Sequence, residues 1–247
     1  MTNSEQQSAL ITGGNKGLGF EAARRLAEQG WSIFLGSRDE GRGRAAAEKL
    51  IAGGANVVMV PLDVTSDESV AEAVRLVREH TTRLDVLINN AGAPGHAIAP
   101  ADATIDEIHP VYDTNVYGPI RVTQAFLPLL QAADHPRVVM VSSAGGSFAV
   151  VTDPAQPVSK MHELAYSSSK AALNMITVRY AQALPNIRFN AVTPGEVANH
   201  TFAATDMNNH TGQLTATEGT DSIVKLAMAP ADGPTGTFTD RLGPVAW

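Results

Sequence analysis

Residues 12–19 read Thr-Gly-Gly-Asn-Lys-Gly-Leu-Gly. The apolar run Ser8 to Ile11 precedes them and reads as a strand; Glu21 to Gly30 follows and reads as a helix ending at its glycine. Strand, glycine-rich turn and helix form the setting in which such a turn cradles the pyrophosphate of a dinucleotide. Gly13 permits the tight turn, Gly17 lets the backbone approach a phosphate, and Gly19 lets the helix lie close on its strand. The helix start adds free N–H groups and the positive end of its dipole. A plain βα turn has the same local pattern without a ligand, so the rest of the chain decides.

Trp31 to Ser37 is a second apolar run and ends in Ser37-Arg38-Asp39. In a unit of this kind the end of the second strand reaches the adenosine ribose. An acidic residue there suits the 2′-hydroxyl of NAD, and an arginine suits the 2′-phosphate of NADP. Arg38, with Lys16 from the glycine turn, puts two cations where a dianion would sit, which favours NADPH over NADH. Asp39 stands beside them and is able to address the ribose instead, and both cations are equally compatible with solvated surface positions.

Glu40 to Ala52 reads as a helix closed by Gly53-Gly54, and Val57 to Leu62 as a third strand running into Asp63-Val64. The Asp63 carboxylate has two uses there: accepting from an adenine amino group or capping the next turn. Val70, Ala73, Val74 and Val77 mark a core-facing stripe on a helix from about Asp67 to His80. Leu84 to Asn89 is a fourth strand, followed by Asn90-Ala91-Gly92, small enough to pack on a ribose; Asn89 either ties strands together or touches the cofactor. The alternation βαβαβαβ implies a parallel sheet with helices on both faces. Asp102 to Ala133 reads as mostly helical, with boundaries blurred by Pro110 and Pro119. Asn115 inside it breaks the local rule, since asparagine disfavours helix interiors. It is either an exposed polar residue or a functional one.

Arg137 to Ser143 is a fifth strand ending in two serines, and Tyr166 opens a long helix to about Leu184. Tyr166 and Lys170, four apart, lie on one helical face. A free phenol titrates near ~10 and is a poor proton donor or acceptor at neutrality. An ammonium held close stabilises the phenolate and brings that value down. Such a pair is common on helices, so its meaning depends on its neighbours. Ile187 to Val192 is the sixth strand, followed by Pro194-Gly195; Ala198 to Thr217 reads as a substrate loop, with Phe202 and Met207 as pocket residues or packing anchors. Glu218 to Met228 reads as one helix and Thr237 to Thr239 as a last strand. The apolar tail Leu242 to Trp247 suits a subunit contact or packing on its own domain.

The 247 residues suffice for one large α/β domain. A formal charge of −7 argues against a nucleic-acid partner. No stretch approaches the roughly 20 apolar residues of a membrane span, and the polar N-terminus lacks a signal-peptide layout. Without cysteine there are no disulfides or thiolate zinc sites, and the histidine spacing supports no metal site. A cytoplasmic protein is the expectation, and the glycosylation-like triplets at Asn199 and Asn209 read as chance.

The glycine turn, Asp63-Val64, Asn89 to Gly92, Asn115, Ser142-Ser143, Tyr166 with Lys170, and Pro194-Gly195 occur in an order that resembles the classical short-chain dehydrogenase/reductase family across nearly the whole chain. The Gly-Asn-Lys turn and the Ser-Arg-Asp run are most similar to its NADPH-dependent carbonyl-reductase-like members. The resemblance implies a single-domain Rossmann fold over residues 1–247, a doubly wound seven-stranded parallel sheet in the order 3-2-1-4-5-6-7. It implies a catalytic tetrad of Asn115, Ser143, Tyr166 and Lys170. Cofactor contacts are implied for Gly13, Asn15, Lys16, Gly17, Leu18 and Gly19, then Arg38, Asp63 and Val64. Further contacts fall on Asn90, Ala91, Gly92, Tyr166, Lys170, Pro194, Gly195 and Val197. The implied activity is hydride transfer between NADPH and a small-molecule carbonyl or alcohol, in a homodimer or homotetramer. Tyr166 would move the proton, Ser143 hold the substrate oxygen, Lys170 lower the Tyr166 pKa and bind ribose, and Asn115 hold a water. A dehydratase or epimerase, or a dinucleotide sensor, would fit the same frame.

Two features depart from the family pattern. The Ser143–Tyr166 interval is longer than usual by roughly ten residues, and its surplus within Phe148 to His162 is expected to form a loop near the pocket. Glu196-Val197-Ala198-Asn199 follows Pro194-Gly195 in place of the commoner Val-x-Thr, which removes a threonine contact to the cofactor amide.

Overall fold

The computed structural model describes residues 6–96, 98–205, 208 and 210–247; Met207 and Asn209 of the sequence reading, and position 97 in the loop after the fourth strand, lie outside them. Seven parallel strands form the main sheet. In chain order its first six are β1 (Ser8–Ile11), β2 (Ser32–Ser37), β3 (Val57–Pro61), β4 (Val86–Asn89), β5 (Arg137–Val141) and β6 (Arg188–Val192). Two short strands, β7 (Gly195–Glu196) and β8 (Thr201–Phe202), pair with each other as an antiparallel hairpin. The seventh strand of the sheet is therefore the ninth of the chain, β9 (Thr237–Thr239), and the order is β3-β2-β1-β4-β5-β6-β9.

Alternation along each strand builds two cores. Ala9, Ile11, Ile33, Leu35, Val86, Ile88, Val139 and Val141 face α1 (Gly17–Glu28), α2 (Glu40–Ala52) and α9 (Asp221–Ala227). Leu10, Phe34, Leu87, Val138 and Met140 face the other way, onto α3 (Asp67–Arg78), α5 (Gly118–Gln131) and α7 (Leu164–Ala183). Both faces are covered, which is why these strands read as continuous apolar runs rather than as alternating ones. Phe126, Phe189 and Phe238 are among the largest fully buried side chains.

Local sequence explains most element ends. Asp39 caps α2 by accepting from the Arg42 N–H, and Ser66 caps α3 through the Ser69 N–H. A capping box of Thr104 and Glu107 starts α4 (Ile105–Tyr112). From there to α5 the chain stays helical, through a π-helical turn at Asp113–Tyr117 centred on Asn115. Such turns recur at functional positions.

Two expectations change. Residues 198–217 are not a plain loop, since they contain β8 and the start of α8 (Ala216–Gly219). The expected helix Glu218 to Met228 is two helices, α8 and α9, parted at the buried Thr220. The tail packs on its own domain: the Val245 N–H donates to Phe238 O at 2.8 Å, and Trp247 stacks on Phe238 at 5.5 Å. The long Ser143–Tyr166 interval holds α6 (Phe148–Val151) and a 3-10 turn at Pro157–Lys160, and its Val158 packs with Ala144 beside Ser143.

Strand order reverses between β1 and β4, so the carboxyl ends of these two strands flank a crevice of the kind that receives ligands in open α/β sheets. Gly19 lets the glycine turn close onto that crevice, because a Cβ there would collide with the Gly13 carbonyl and the Asn90 amide. Gly17 has φ +54° with nothing within 4 Å of a Cβ position, so only its backbone angle demands glycine. Gly19→Ala is expected to cost about 1–3 kcal/mol by overpacking, and Gly17→Ala about 1 kcal/mol through its left-handed backbone. Urea unfolding of both variants checks the order, and a milder loss at Gly19 than at Gly17 would contradict this packing.

Candidate active site

The crevice is closed at one end by side-chain amides. Asn90 Nδ2 donates to the carbonyls of Thr12 at 2.9 Å and Gly13 at 3.2 Å. Thr12 Oγ1 accepts from the backbone N–H groups of Asn90 and Ala91. Asn89 points the other way, to Thr123 Oγ1 and the Met140 sulfur, so it ties strands to α5. Asn15 is half-buried, Lys16 and Gly17 are exposed at the turn, and Leu18 is buried in the core, leaving its backbone to the crevice. Gly92 is exposed at the opposite lip.

At the end of β2 Arg38 is exposed and carries no hydrogen bond or ion pair to the described residues. Asp39 is engaged elsewhere: Oδ1 accepts from the Arg42 N–H at 2.9 Å, and Oδ2 lies 3.3 Å from Arg42 Nε. Asp63 Oδ1 accepts from the Thr65 N–H at 3.0 Å and its hydroxyl at 2.7 Å, so this oxygen caps the turn. Val64 is buried in the core with α3 and α5, so its backbone alone is available to a ligand.

At the other end the Ser143 hydroxyl lies beside the Tyr166 phenol and acts on its titration. Lys170, one turn along α7, lies 5.6 Å from the Tyr166 ring centre and donates from Nζ to the Val141 carbonyl at 2.9 Å. Burial pushes the Tyr166 phenol up to about 12; the Ser143 hydroxyl opposes that rise and Glu163 adds to it. Burial also brings Lys170 down to about 8. The sequence expectation of a tyrosine lowered by its lysine therefore does not hold in the protein by itself. Desolvation penalises both charges and outweighs the neighbour.

Asn115 does not reach Lys170. Its Oδ1 accepts from the Ala93 N–H at 2.8 Å, and its Nδ2 donates to Ala93 O at 2.9 Å and Ser169 Oγ at 3.0 Å. Both amide hydrogens are thereby used, and the residue stitches the loop after β4 to α7. Any water contact would fall to its backbone carbonyl, and Pro119, four residues on, has no N–H to give.

Several positioning residues escaped sequence reasoning. Asn174 accepts from Ser142 Oγ at 2.6 Å and donates to Gly146 O at 3.0 Å, clamping the turn after Ser143 onto α7. Gly146 allows that approach, since a Cβ there would press on the Lys170 backbone. Thr193 Oγ1 accepts from the Ala144 N–H at 3.1 Å. Tyr166, Lys170 and Asn174 recur every four residues, so a buried polar stripe on α7 was the available signal for Asn174. Pro194 O accepts from the Ala203 N–H at 3.0 Å, Gly195 lies close under Thr201, and Val197 packs near Ala144. Among the described residues no cluster of His, Asp or Glu could hold a metal ion, and no helix is long and apolar enough to cross a membrane.

Known proteins share this chain's family and fold. The family model for short chain dehydrogenase covers residues 7–211. The (+)-neomenthol dehydrogenase of Capsicum annuum is 32% identical, over 94% of this chain and 95% of the relative. Among solved structures, the NADPH-bound carbonyl reductase from chicken fatty liver superposes with TM-score 0.84 at 28% identity, covering 98% of this chain and 99% of that one. The salutaridine reductase of Papaver somniferum superposes with TM-score 0.81 at 29% identity, covering 95% and 99%.

Removing the Asn115 side chain would leave the half-buried Ala93 N–H and C=O without these partners and take a donor from the buried Ser169 hydroxyl, which keeps its bond to the Tyr166 carbonyl. Asn115→Ala is expected to lose about 2–3 kcal/mol of stability, read from the urea midpoint. A loss below about 0.5 kcal/mol, the range of an ordinary surface change, would show that these bonds do not hold the loop to α7.

Proposed function

The chain belongs to the short-chain dehydrogenase family, oxidoreductases that act between CH–OH and C=O groups, and we propose that it is an NADPH-dependent reductase of a ketone or aldehyde. The Ser143 hydroxyl beside the Tyr166 phenol, with Lys170 one helical turn on and 5.6 Å from the phenol ring, carries the proposal. These groups stand at the carboxyl ends of β5 and β6, next to the crevice opened by the strand reversal.

The residues present fit a dinucleotide. Gly13, Gly17 and Gly19 keep side chains out of the phosphate turn, and the backbone of Leu18 and Asn15 lines it. Asn90, Ala91 and Gly92 would line the ribose side of a bound dinucleotide, and Pro194, Gly195 and Val197 the wall beyond it. NADPH is favoured because Asp39 is occupied as the α2 cap while Arg38 remains available to a 2′-phosphate. An acid turned toward the ribose would favour NADH, and Asp39 is not so turned.

The bound cofactor would supply the hydride. Ser143 Oγ and Tyr166 Oη then hold the substrate oxygen from one side, the arrangement that stabilises charge as it develops there. Tyr166 delivers its proton to that oxygen. A phenol at about 12 keeps its proton throughout the working range, so it is already in the donor form for reduction. Lys170 steadies the phenolate left behind, and Asn115, through its backbone carbonyl, would hold the water that returns the proton.

Side-by-side assays of NADPH and NADH oxidation against alicyclic ketones, aldehydes and quinones provide the test. Tyr166→Phe is expected to lower kcat by about 10²–10⁴-fold while leaving the NADPH dissociation constant within about twofold. Full turnover in that variant would sink the mechanism. Product formed without net NADPH oxidation would point to a non-redox reaction, and NADPH binding with no turnover on any carbonyl to a sensor. The pH profile carries a second prediction. Lys170 is a cation below its pKa of about 8 and loses that charge as pH rises through it, whereas Tyr166 stays protonated up to about 12. Reduction is expected to be flat below pH 8 and to fall above it, and a rate constant unchanged to pH 10 would remove Lys170 from the proton-transfer step.

A further inference from the structure

Glu196 departs from the family pattern and sits at the base of the hairpin β7–β8, only 6% exposed. Its carboxylate pairs with Arg241 and accepts from Asn199 Nδ2 at 2.6 Å and Thr201 Oγ1 at 3.4 Å. Arg241 Nε continues to Asp221 Oδ2 at 3.2 Å, and Asp221 Oδ1 accepts from Arg25 Nη1 at 2.8 Å. Arg25 also donates to the Thr217 carbonyl at 2.8 Å, and Thr217 Oγ1 donates to Glu21 Oε1 at 2.7 Å. One line of charges thus joins the start of segment 197–217 to its end, and both to α1, the helix that opens at the phosphate turn.

Apolar contacts place the same segment along the crevice. Val197 packs on the cluster of Ala144, Val150 and Val158, beside Ser143. Ala203 shares the core of Leu18, and a Cβ on Gly219 would press on both of them. The segment therefore runs from the proton-transfer groups to the glycine turn. Its hairpin turn holds His200 at φ +57°, a left-handed angle that non-glycine residues keep only under constraint from their surroundings.

We propose that Glu196 is a positioning residue that, through Arg241, clasps segment 197–217 against α1 and so fixes the carbonyl-side wall of the site. The proposal deepens the reductase reading, and only its kinetic arm depends on that reading. Surface ion pairs usually contribute little. This one differs in that the carboxylate is buried and gathers three donors from three residues. The Asn199 bond, followed by the Arg241 bond, holds the Glu196 carboxyl below the usual carboxylate range, as a working clasp requires.

Glu196→Gln keeps the shape and removes the charge; Arg241→Gln removes the partner; Glu196→Asp keeps the charge. Chymotrypsin has a site in the segment at Phe202. Cleavage there is expected to quicken about fivefold in both Gln variants, with the far-ultraviolet circular dichroism unchanged, and to return toward wild type in Glu196→Asp. The KM for the carbonyl should rise by a similar factor, with kcat and the NADPH dissociation constant within about twofold. Unchanged cleavage at Phe202 in both Gln variants, or cleavage quickened equally at sites across the chain, would overturn the clasp. Should either substitution prevent folding, the wild-type protein decides. The outer pairs of the relay, Arg241–Asp221 and Arg25–Asp221, are part-exposed, so raising NaCl to about 1 M should speed cleavage at Phe202 relative to other sites, and a salt-independent ratio overturns the proposal. If wild type reduces no carbonyl, the cleavage arm still judges the clasp while the proposed function fails by itself.

Discussion

The site depends on how closely the turn after β1 approaches the end of β4. Parallel strands that diverge at a switch point leave their backbone groups pointing into a crevice, and those groups need partners where they are buried. The Asn90 side chain supplies them, donating to the carbonyls of Thr12 and Gly13, while Thr12 Oγ1 returns acceptance to the N–H groups of Asn90 and Ala91. The pairing works only because Gly19 brings no Cβ to the same spot. With both lips of the crevice satisfied by each other, the N–H groups at the start of α1 remain available to an anion.

At the opposite end the governing constraint is dielectric. Burial makes both the phenolate of Tyr166 and the ammonium of Lys170 costly, and their values move in opposite directions, to about 12 and about 8. A proton donor held in its neutral form suits reduction better than oxidation, because the reverse reaction needs the phenolate as a base. The bias belongs to the packing of α7 against the turn at Ala144–Gly146, which Asn174 and Gly146 make possible. Electrostatics and packing are here one device, since any shift that let water onto Tyr166 would relax both values together.

The fold was legible because its signals are local and repeated. Glu40 to Ala52 is a helix in sequence and in structure, since Asp39 and Gly53 mark its ends with chemistry that acts within a turn. The pair Tyr166 and Lys170 was legible for the same reason, four residues being one helical face. Asn115 announced itself by breaking a local rule, and the π-helical turn around it shows how the chain accommodates the break. The hairpin β7–β8 was not legible, because strands of two residues are shorter than the alternation that reveals strands. Nor was the break at Thr220, which is set by the packing of Gly219 on Ala203 and Leu18. The Tyr166 value was misjudged because desolvation is a property of the whole fold, while the lysine neighbour is visible in four letters.

What distinguishes this chain from relatives sharing its scaffold must lie where the scaffold does not dictate sequence. Three segments border Ser143, Tyr166 and Lys170: the loop after β4, the long stretch between Ser143 and Tyr166, and residues 197–217. The first is stitched down by Asn115 and the second by the packing of Val158 on Ala144, both short-range contacts. The described residues of 197–217 are tied to α1 through a relay of charges that begins at Glu196. Apolar packing fixes a segment by filling volume, whereas charge pairs fix it by direction and yield to salt. A substrate wall held in the second way can differ from its relatives through a few charged residues, without any change to the sheet beneath it.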